Sequence, residues 1–163
     1  KAKQLQTIGS DQCSFSFNGK KKLGLNDFSK IPNGGPFIED RFGILYSEGV
    51  AKGRISIHDF VDMISTSAAK IFGLYPQKGT IAIGSDADIV IFDPTVKREI
   101  SANTHHMNVD YNAYEGWEVT GEPVSVLVRG EYVIKNRQFV GALGSGRYIK
   151  RALQPATAER INV

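Results

Sequence analysis

The 163-residue chain changes character near Thr80. Before this point apolar residues recur mostly at helical spacing, and after it short β-rich runs alternate with turn residues. One segment cannot satisfy both periodicities, so the change predicts two structural units. With 41% apolar residues, the chain can bury one core of ordinary size or parts of two smaller ones.

Three helices are predicted before Thr80. Ser56, with Asp59 three residues later, forms a capping box ahead of an amphipathic run. A second helix is predicted from Ser67 as its cap to Phe72, with Gly73 as a left-handed stop. A further helix is predicted from about Glu39 to Val50, because its two leading acidic residues suit the positive end of the helix dipole.

An antiparallel sheet is predicted after Thr80. Short runs rich in β-branched and aromatic residues are separated by Gly, Asp, Pro or Asn. The runs are Ile81 to Ile83, Ile89 to Phe92, Val124 to Arg129, Tyr132 to Lys135 and Gln138 to Val140. Asn103 to Gly121 is predicted to be a long loop that is functional or forms an interface.

Charge and composition exclude several partners. The net charge is +3, and the only dense basic run is Lys20 to Lys22, which favours a solvated loop over a nucleic-acid surface. No apolar run approaches the roughly 18 residues of a membrane span. Cys13 is the single cysteine and cannot form an internal disulfide. We therefore expect a cytoplasmic protein without a membrane partner. The first residue is Lys1 rather than methionine, which predicts that the chain begins inside a longer polypeptide.

One carboxylate lies where a β/α barrel presents catalytic groups. Leu5 to Ile8 is typical of a strand end, and Asp11 follows it after Gly9 and Ser10. On the residues alone, an ordinary turn aspartate is the more frequent explanation. Cys13 has no histidine near it in sequence to act as a base, so we predict buried packing for it rather than nucleophilic chemistry.

Three ordered motifs resemble the last barrel motifs of the dihydropyrimidinase and hydantoinase family. They are Gly9 to Cys13, Lys30 to Gly34 and Ile38 to Arg41. Later segments are similar to the amidohydrolase superfamily's return from barrel to small β domain, and two more resemble the hydantoinase side. The segments similar to the superfamily's return are Lys70 to Gly73, Lys78 to Ile81, Gly84 to Asp88 and Asp93-Pro94. The segments that resemble the hydantoinase side are Thr104 to Met107 and Asp110 to Gly116. The resemblance covers nearly all of the chain up to about Arg151.

The resemblance implies an α/β plus β fold. Residues 1–79 correspond to the last strand and outer helices of a β/α (TIM-type) barrel, and residues 80–145 to a small β-sandwich domain. Residues 146–163 are expected to be a C-terminal tail that contacts another subunit or is disordered. The remainder of the barrel and other subunits, in a dimer or tetramer, are the implied protein partners.

The resemblance also implies a binuclear-zinc hydrolase that opens dihydropyrimidines and hydantoins at the ring amide bond. Asp11 matches the aspartate that ligates one zinc and relays a proton from the attacking water to the leaving ring nitrogen. Asn33 matches the position whose backbone binds the cyclic ureide, in a loop framed by Pro32 and Gly34. The other family ligands are histidines and a carbamylated lysine in motifs that this chain lacks. We therefore expect the chain alone to be inactive.

Other polar residues are predicted to be structural. His105 and His106 are adjacent, so their side chains diverge and suit structural or interface roles better than one shared metal. Asp86 and Asp88 are predicted to be architectural residues of a tight turn, bonded to their own backbone.

Three other functions stay open. A dihydropyrimidinase-related scaffold without activity generally departs from the enzyme pattern at Asp11 and Asn33, and this chain keeps both. An allantoinase opens a similar ring, but Asp110 to Gly116 favours the hydantoinase side. A free-standing β-sandwich binding module leaves the Asp11 and Asn33 motifs unexplained.

Overall fold

The computed structural model describes residues 4–152, which form two units. One unit contains the described residues up to Ile8, Ile55–Phe92 and those from Pro123 onward. The other contains Gly9–Arg54 and Asp93–Glu122. The tail predicted over 146–163 lies outside the described residues from 153 on. No helix within residues 4–152 is long and apolar enough to cross a bilayer.

The unit of Gly9–Arg54 and Asp93–Glu122 contains two 3₁₀ turns and one helix. The turns span Lys21–Gly24 and Phe28–Lys30. Helix α1 spans Arg41–Leu45 and continues as a π-helical segment over Tyr46–Ala51. The helix predicted from Glu39 to Val50 is therefore present, although its first two residues precede it.

Ile100 and Val119 form the buried apolar centre of this unit, with exposed fractions of 0% and 3%. The backbone N–H of Ile100 donates to the carbonyl of Trp117 at 2.9 Å, and that of Gly116 donates to the carbonyl of Ile100 at 2.9 Å. These two bonds close the loop between Ile100 and Gly116 at its base.

The other unit contains a continuous helical run of three segments. Helix α2 spans Ile57–Val61, a π-helical segment spans Asp62–Thr66, and helix α3 spans Ser67–Ile71. The predicted separate helix capped by Ser67 is wrong, because Ser67 has helical backbone angles while a cap needs extended ones.

Both predicted ends of this helical run are confirmed. Ser56 Oγ accepts from the Asp59 N–H at 3.1 Å, and the Asp59 carboxylate accepts from the Ser56 N–H at 3.2 Å. Gly73 follows the run with φ +71°, in the left-handed region that stops a helix. In this unit Phe60 packs on Phe92 with ring centroids 6.0 Å apart.

A four-stranded sheet has the order β1-β2-β3-β4. The strands are β1, Ile89–Glu99; β2, Glu118–Val128; β3, Glu131–Lys135; and β4, Gln138–Phe139. Strands β2 and β3 pair antiparallel, as do β3 and β4. Positive φ angles at Arg129-Gly130 and at Asn136-Arg137 are typical of the two-residue turns that join such strands. The predicted antiparallel sheet is confirmed.

Three local predictions are wrong. Ile81 to Ile83 is not a strand, and the side chains of both isoleucines are largely exposed. Leu5 to Ile8 is not in a strand either. A β-rich run becomes a strand only when another strand bonds to it, and the described residues supply no such neighbour to either run. Strand β2 begins at Glu118, so the predicted loop from Asn103 to Gly121 ends earlier.

Candidate active site

Asp11 lies on an exposed turn in the unit that begins at Gly9. Its φ is +49°, in the left-handed region that Asp and Asn adopt more readily than other residues with side chains. Ser10 Oγ accepts from the backbone N–H of Gln12 at 3.3 Å, which stabilises this turn. The carboxylate of Asp11 is therefore presented to solvent by a defined backbone geometry.

Asn33 lies on a second exposed loop of the same unit, and Gly34 brings this loop against the first. Gly34 has φ +82°. A Cβ placed on Gly34 falls 2.5 Å from Cys13 Cβ and 2.7 Å from the Cys13 carbonyl oxygen. Only glycine fits a backbone contact this close. The loops of Asp11 and Asn33 are in direct contact.

The side chain and backbone of Gln12 hold these two loops together. Gln12 forms a parallel β-bridge with Gly35. Its side-chain Oε1 accepts from the N–H of Phe37 at 2.8 Å and from the N–H of Ile38 at 3.0 Å. The structure thus brings together Asp11 and the Asn33 loop, the two sites expected from the sequence.

Lys21 braces the Asn33 loop from another side. Its ammonium donates to the carbonyl of Pro32 and, at 2.6 Å, to the carbonyl of Gly34. The prediction that Lys20 to Lys22 is simply a solvated loop is therefore wrong for Lys21. Its charge fixes the carbonyl groups of the two residues that flank Asn33.

Cys13 is exposed, which corrects its predicted burial. The apolar character of a thiol suggests burial, but here the Cys13 backbone contacts Gly34 at a loop junction. Close packing at this position is made by Cβ and the main-chain atoms of Cys13, and the residue remains exposed.

The segment from His105 to Gly116 contacts residues that follow the Asp11 turn and the Asn33 loop in the sequence. The Asp110 carboxylate accepts from the N–H of Phe17 at 2.5 Å and of Asn18 at 3.0 Å. The Asn18 N–H holds the pKa of Asp110 below its usual value, because these bonds favour the charged form. Phe37 packs edge-to-face on Tyr114, with ring centroids 6.0 Å apart.

Asp40 anchors the same segment from a buried position. Its side chain is 1% exposed, and its oxygens accept from Arg98 Nη2 at 3.0 Å and Asn112 Nδ2 at 2.7 Å. Arg98 Nε also lies 3.4 Å from Glu122. The prediction that Asp40 serves the dipole of α1 is incomplete, since its side chain caps no helix N–H and instead completes a buried polar cluster.

The two adjacent histidines contact different groups, as predicted. His106 donates its backbone N–H to Glu39 at 2.7 Å, and its Nδ1 lies 2.8 Å from the same carboxylate. His105 Nε2 lies 2.9 Å from the carbonyl oxygen of Val109. Across residues 4–152, no three His, Cys, Asp or Glu side chains group closely enough to hold a metal ion.

In the other unit, Asp86 and Asp88 serve the turn that precedes β1. Lys78 Nζ lies 2.8 Å from Asp86 and also pairs with Asp88. The carboxylate of Asp88 accepts from the N–H of Arg129 at 2.8 Å. Both aspartates are architectural as predicted, but the partners found for their carboxylates are Lys78, Gln77 and Arg129 rather than their own backbone.

Residues that the sequence did not identify as belonging to the site supply most of its support. Gln12 and Lys21 join or brace the two loops, and Asp40 and Asn112 hold a segment that packs beside them. The only sequence signal is that Gln12 and Asp40 belong to the motifs that contain or follow the site residues. Neither periodicity nor spacing indicates their partners.

Comparison with known proteins supports the resemblance. The family model described as "Amidohydrolase family" matches residues 2–133. The chain is 69% identical over 149 residues to a D-hydantoinase of Geobacillus stearothermophilus, covering 91% of this chain and 32% of that protein. It is 48% identical over 147 residues to a dihydropyrimidinase of Rattus norvegicus, covering 90% of this chain and 28% of that protein.

Solved structures give the same result. A crystal structure of D-hydantoinase superposes with a TM-score of 0.89 at 68% sequence identity, covering 91% of this chain and 32% of the other. The chain thus spans about a third of the length of the relatives it matches.

Proposed function

Because this chain belongs to the amidohydrolase family, we propose that it supplies a ring-binding loop and a proton-transferring aspartate to a hydrolase that opens cyclic ureides. Hydantoins and dihydropyrimidines are the proposed substrates, since the relatives are named D-hydantoinase and dihydropyrimidinase. The observation that carries the proposal is the Gln12 bridge, which sets the Asp11 turn beside the Asn33 loop.

Asn33 is proposed to bind the ring through its backbone. A flat cyclic ureide presents alternating N–H and C=O groups, which a rigid loop reads well. Lys21 and Gln12 supply the rigidity here, because they hold the peptide groups on both sides of Asn33. Asn33 itself is exposed on this loop, as a position that meets a small ring must be.

Asp11 is proposed to handle the proton during hydrolysis. As water adds to the ring carbonyl, its proton passes to the Asp11 carboxylate. The ring C–N bond then breaks, and the same proton passes from Asp11 to the leaving nitrogen. An exposed carboxylate beside the ring-binding loop suits both transfers, because it is open to water and to a ring bound at that loop.

Zinc is the proposed cofactor, with two ions per subunit. Bound zinc would polarise the ring carbonyl and lower the pKa of water. The exposed carboxylate of Asp11 fits one ligand position, but the described residues offer no three-ligand cluster. The remaining ligands must therefore come from residues outside residues 4–152, and we expect the 163-residue chain alone to open neither ring.

The proposed setting for this site is a β/α barrel. The described residues up to 79 would supply its outer helices and, once a neighbouring strand from the remainder of the barrel pairs with Leu5 to Ile8, its last strand. Residues 80–145 would supply a small β-sandwich domain. The remainder of the barrel and further subunits, in a dimer or tetramer, are the proposed protein partners. A cytoplasmic location is proposed with them.

A chimera tests the function. This chain replaces the matching 149 residues of the Geobacillus stearothermophilus D-hydantoinase, to which it is 69% identical. We expect the chimera to open hydantoin and dihydrouracil in the presence of zinc, and the chain alone to open neither. A chimera that folds by circular dichroism and retains zinc but opens neither ring contradicts the proposal. Allantoin in the same assay distinguishes the related allantoinase activity.

A further inference from the structure

Two Asn-Gly dipeptides occur on exposed loops of one unit. They are Asn18-Gly19 and Asn33-Gly34, and both glycines have positive φ, at +109° and +82°. An asparagine before glycine is chemically labile, because glycine has no side chain to hinder attack by its backbone nitrogen on the asparagine amide. The two dipeptides therefore share intrinsic chemistry and differ in their surroundings.

Asn18 is held by Asp110. Its backbone N–H donates to the Asp110 carboxylate at 3.0 Å, and its side-chain amide also favours the charged form of that carboxylate and so helps to lower the pKa of Asp110. The surrounding turn is closed by bonds from the N–H of Lys21 to the Ser16 carbonyl and from the N–H of Lys22 to the Phe17 carbonyl, both at 3.2 Å. An amide held this way must break its hydrogen bonds before its carbonyl carbon can meet the next nitrogen.

The Asn33 side chain has no such restraint, although Lys21 and Gln12 hold the main chain on both sides of it. Within residues 4–152, neither its side-chain amide nor the N–H of Gly34 has a hydrogen-bond partner. The Lys21 ammonium bonds to the carbonyls of Pro32 and Gly34, which belong to the peptide groups before and after the Asn33–Gly34 peptide, so these bonds leave the Gly34 N–H and the Asn33 side chain unbonded. Both the electrophile and the nucleophile are available.

We propose that Asn33 is a site of spontaneous deamidation, while Asn18 is protected by Asp110. The Gly34 nitrogen loses its proton and attacks Asn33 Cγ; a new C–N bond forms, and the side-chain nitrogen leaves as ammonia after taking up a proton. Water then opens the resulting cyclic imide at either carbonyl. One opening gives aspartate, and the other gives isoaspartate, whose main chain is longer by one methylene.

The loop has no room for that extra methylene. A Cβ on Gly34 already falls 2.5 Å from Cys13 Cβ, and Gly35 is paired with Gln12. Lengthening the main chain between residues 33 and 34 must therefore displace Gly34 from Cys13 or break the Gln12 bridge. Formation of isoaspartate at Asn33 separates the two loops. This inference does not depend on the proposed hydrolase activity.

The experiment compares the two dipeptides in the same sample. The 163-residue chain is incubated in mildly alkaline buffer, and peptide mapping with an isoaspartate-specific methyltransferase follows each asparagine. We expect Asn33 to convert roughly threefold to tenfold faster than Asn18. A rate difference of this size corresponds to the free energy of about one hydrogen bond, which Asn18 must lose before it reacts. Equal rates, or faster conversion at Asn18, overturn the proposal.

Two controls separate fold from local sequence. In denaturant the two rates should converge, and a difference that persists there overturns the structural explanation. In the folded chain, Asp110→Ala should raise the Asn18 rate to near that of Asn33 and leave Asn33 unchanged, whereas Asp110→Asn, which keeps an acceptor oxygen, should have a smaller effect. If Asp110→Ala leaves the Asn18 rate unchanged while circular dichroism shows a folded chain, Asp110 is not the protecting group.

Discussion

Asn112 Nδ2 donates a 2.7 Å hydrogen bond to the buried carboxylate of Asp40, which lies 72 residues earlier in the chain. The same carboxylate accepts from Arg98 at 3.0 Å, so one 1%-exposed side chain joins the start of α1 to β1 and to the segment before β2. A buried charge with two charge-assisted or amide donors is well satisfied. Removal of the carboxylate leaves Arg98 and Asn112 without this hydrogen-bond acceptor.

The first prediction concerns this cluster. We expect Asp40→Ala to lower the free energy of unfolding by about 3 kcal/mol, because a buried polar cluster loses its central acceptor. Urea unfolding followed by circular dichroism measures the change. Glu48→Ala is the matched control, since Glu48 pairs with Lys52 and Arg54 at the surface, and we expect it to have little effect. Equal losses for the two variants contradict the role of Asp40.

Local features of the fold could be predicted from the sequence, and long-range ones could not. Ser56 and Asp59 bond to each other within one turn, so their spacing alone indicates the capping box. Ser67 carries the same cap chemistry, yet the helix continues through it, because the neighbouring segments decide whether its backbone is extended or helical. A cap residue in the sequence therefore permits a helix start without requiring one.

The candidate site shows the same division. Asp11 and Asn33 could be proposed from their motifs, but the contacts that set their loops together are made by Gln12, 23 residues from its bridge partner Gly35, and by the absence of a side chain on Gly34. The exposure of Cys13 and the bonds of Lys21 to backbone carbonyls follow from that junction. Both features depend on which loops meet in the folded chain, and the periodicity of the sequence does not indicate those contacts.

The second prediction concerns the contact between the two site loops. Gly34→Ala and Gly53→Ala each place a side chain at positive φ, at +82° and +66°. Only Gly34 has neighbours that a Cβ meets, since nothing lies within 4 Å at Gly53. We expect Gly53→Ala to cost about 1 kcal/mol of folding free energy and Gly34→Ala about 1–3 kcal/mol more. Denaturant unfolding of both variants measures the difference, and equal costs contradict the contact with Cys13.

The third prediction concerns acid stability and Asp110. The Asn18 N–H lowers the pKa of Asp110 in the folded chain, whereas the unfolded value stays near 3.8. A lowered folded pKa contributes stability that is present above pH 3.8 and is lost as the pH falls below 3.8 through the folded value. We expect Asp110→Asn to lower the melting temperature at neutral pH, with the difference from the parent shrinking as the pH falls below 3.8. A difference that is constant across this range removes Asp110 from the acid transition.

The last prediction separates the two roles proposed for Asp11, and it uses the chimera that carries this chain in the D-hydantoinase framework. Asp11→Ala removes a metal ligand and a proton carrier together, so zinc content and turnover should both fall. Asp11→Asn keeps an oxygen that can coordinate a metal weakly but cannot carry the proton. We expect it to retain part of the zinc while turnover of hydantoin falls by roughly 10² to 10⁴, the range for lost general acid–base catalysis. Metal analysis is made beside the rate measurement. If the asparagine variant contains zinc and its turnover is close to that of the parent, another group carries the proton, and Asp11 is only a ligand or a turn residue.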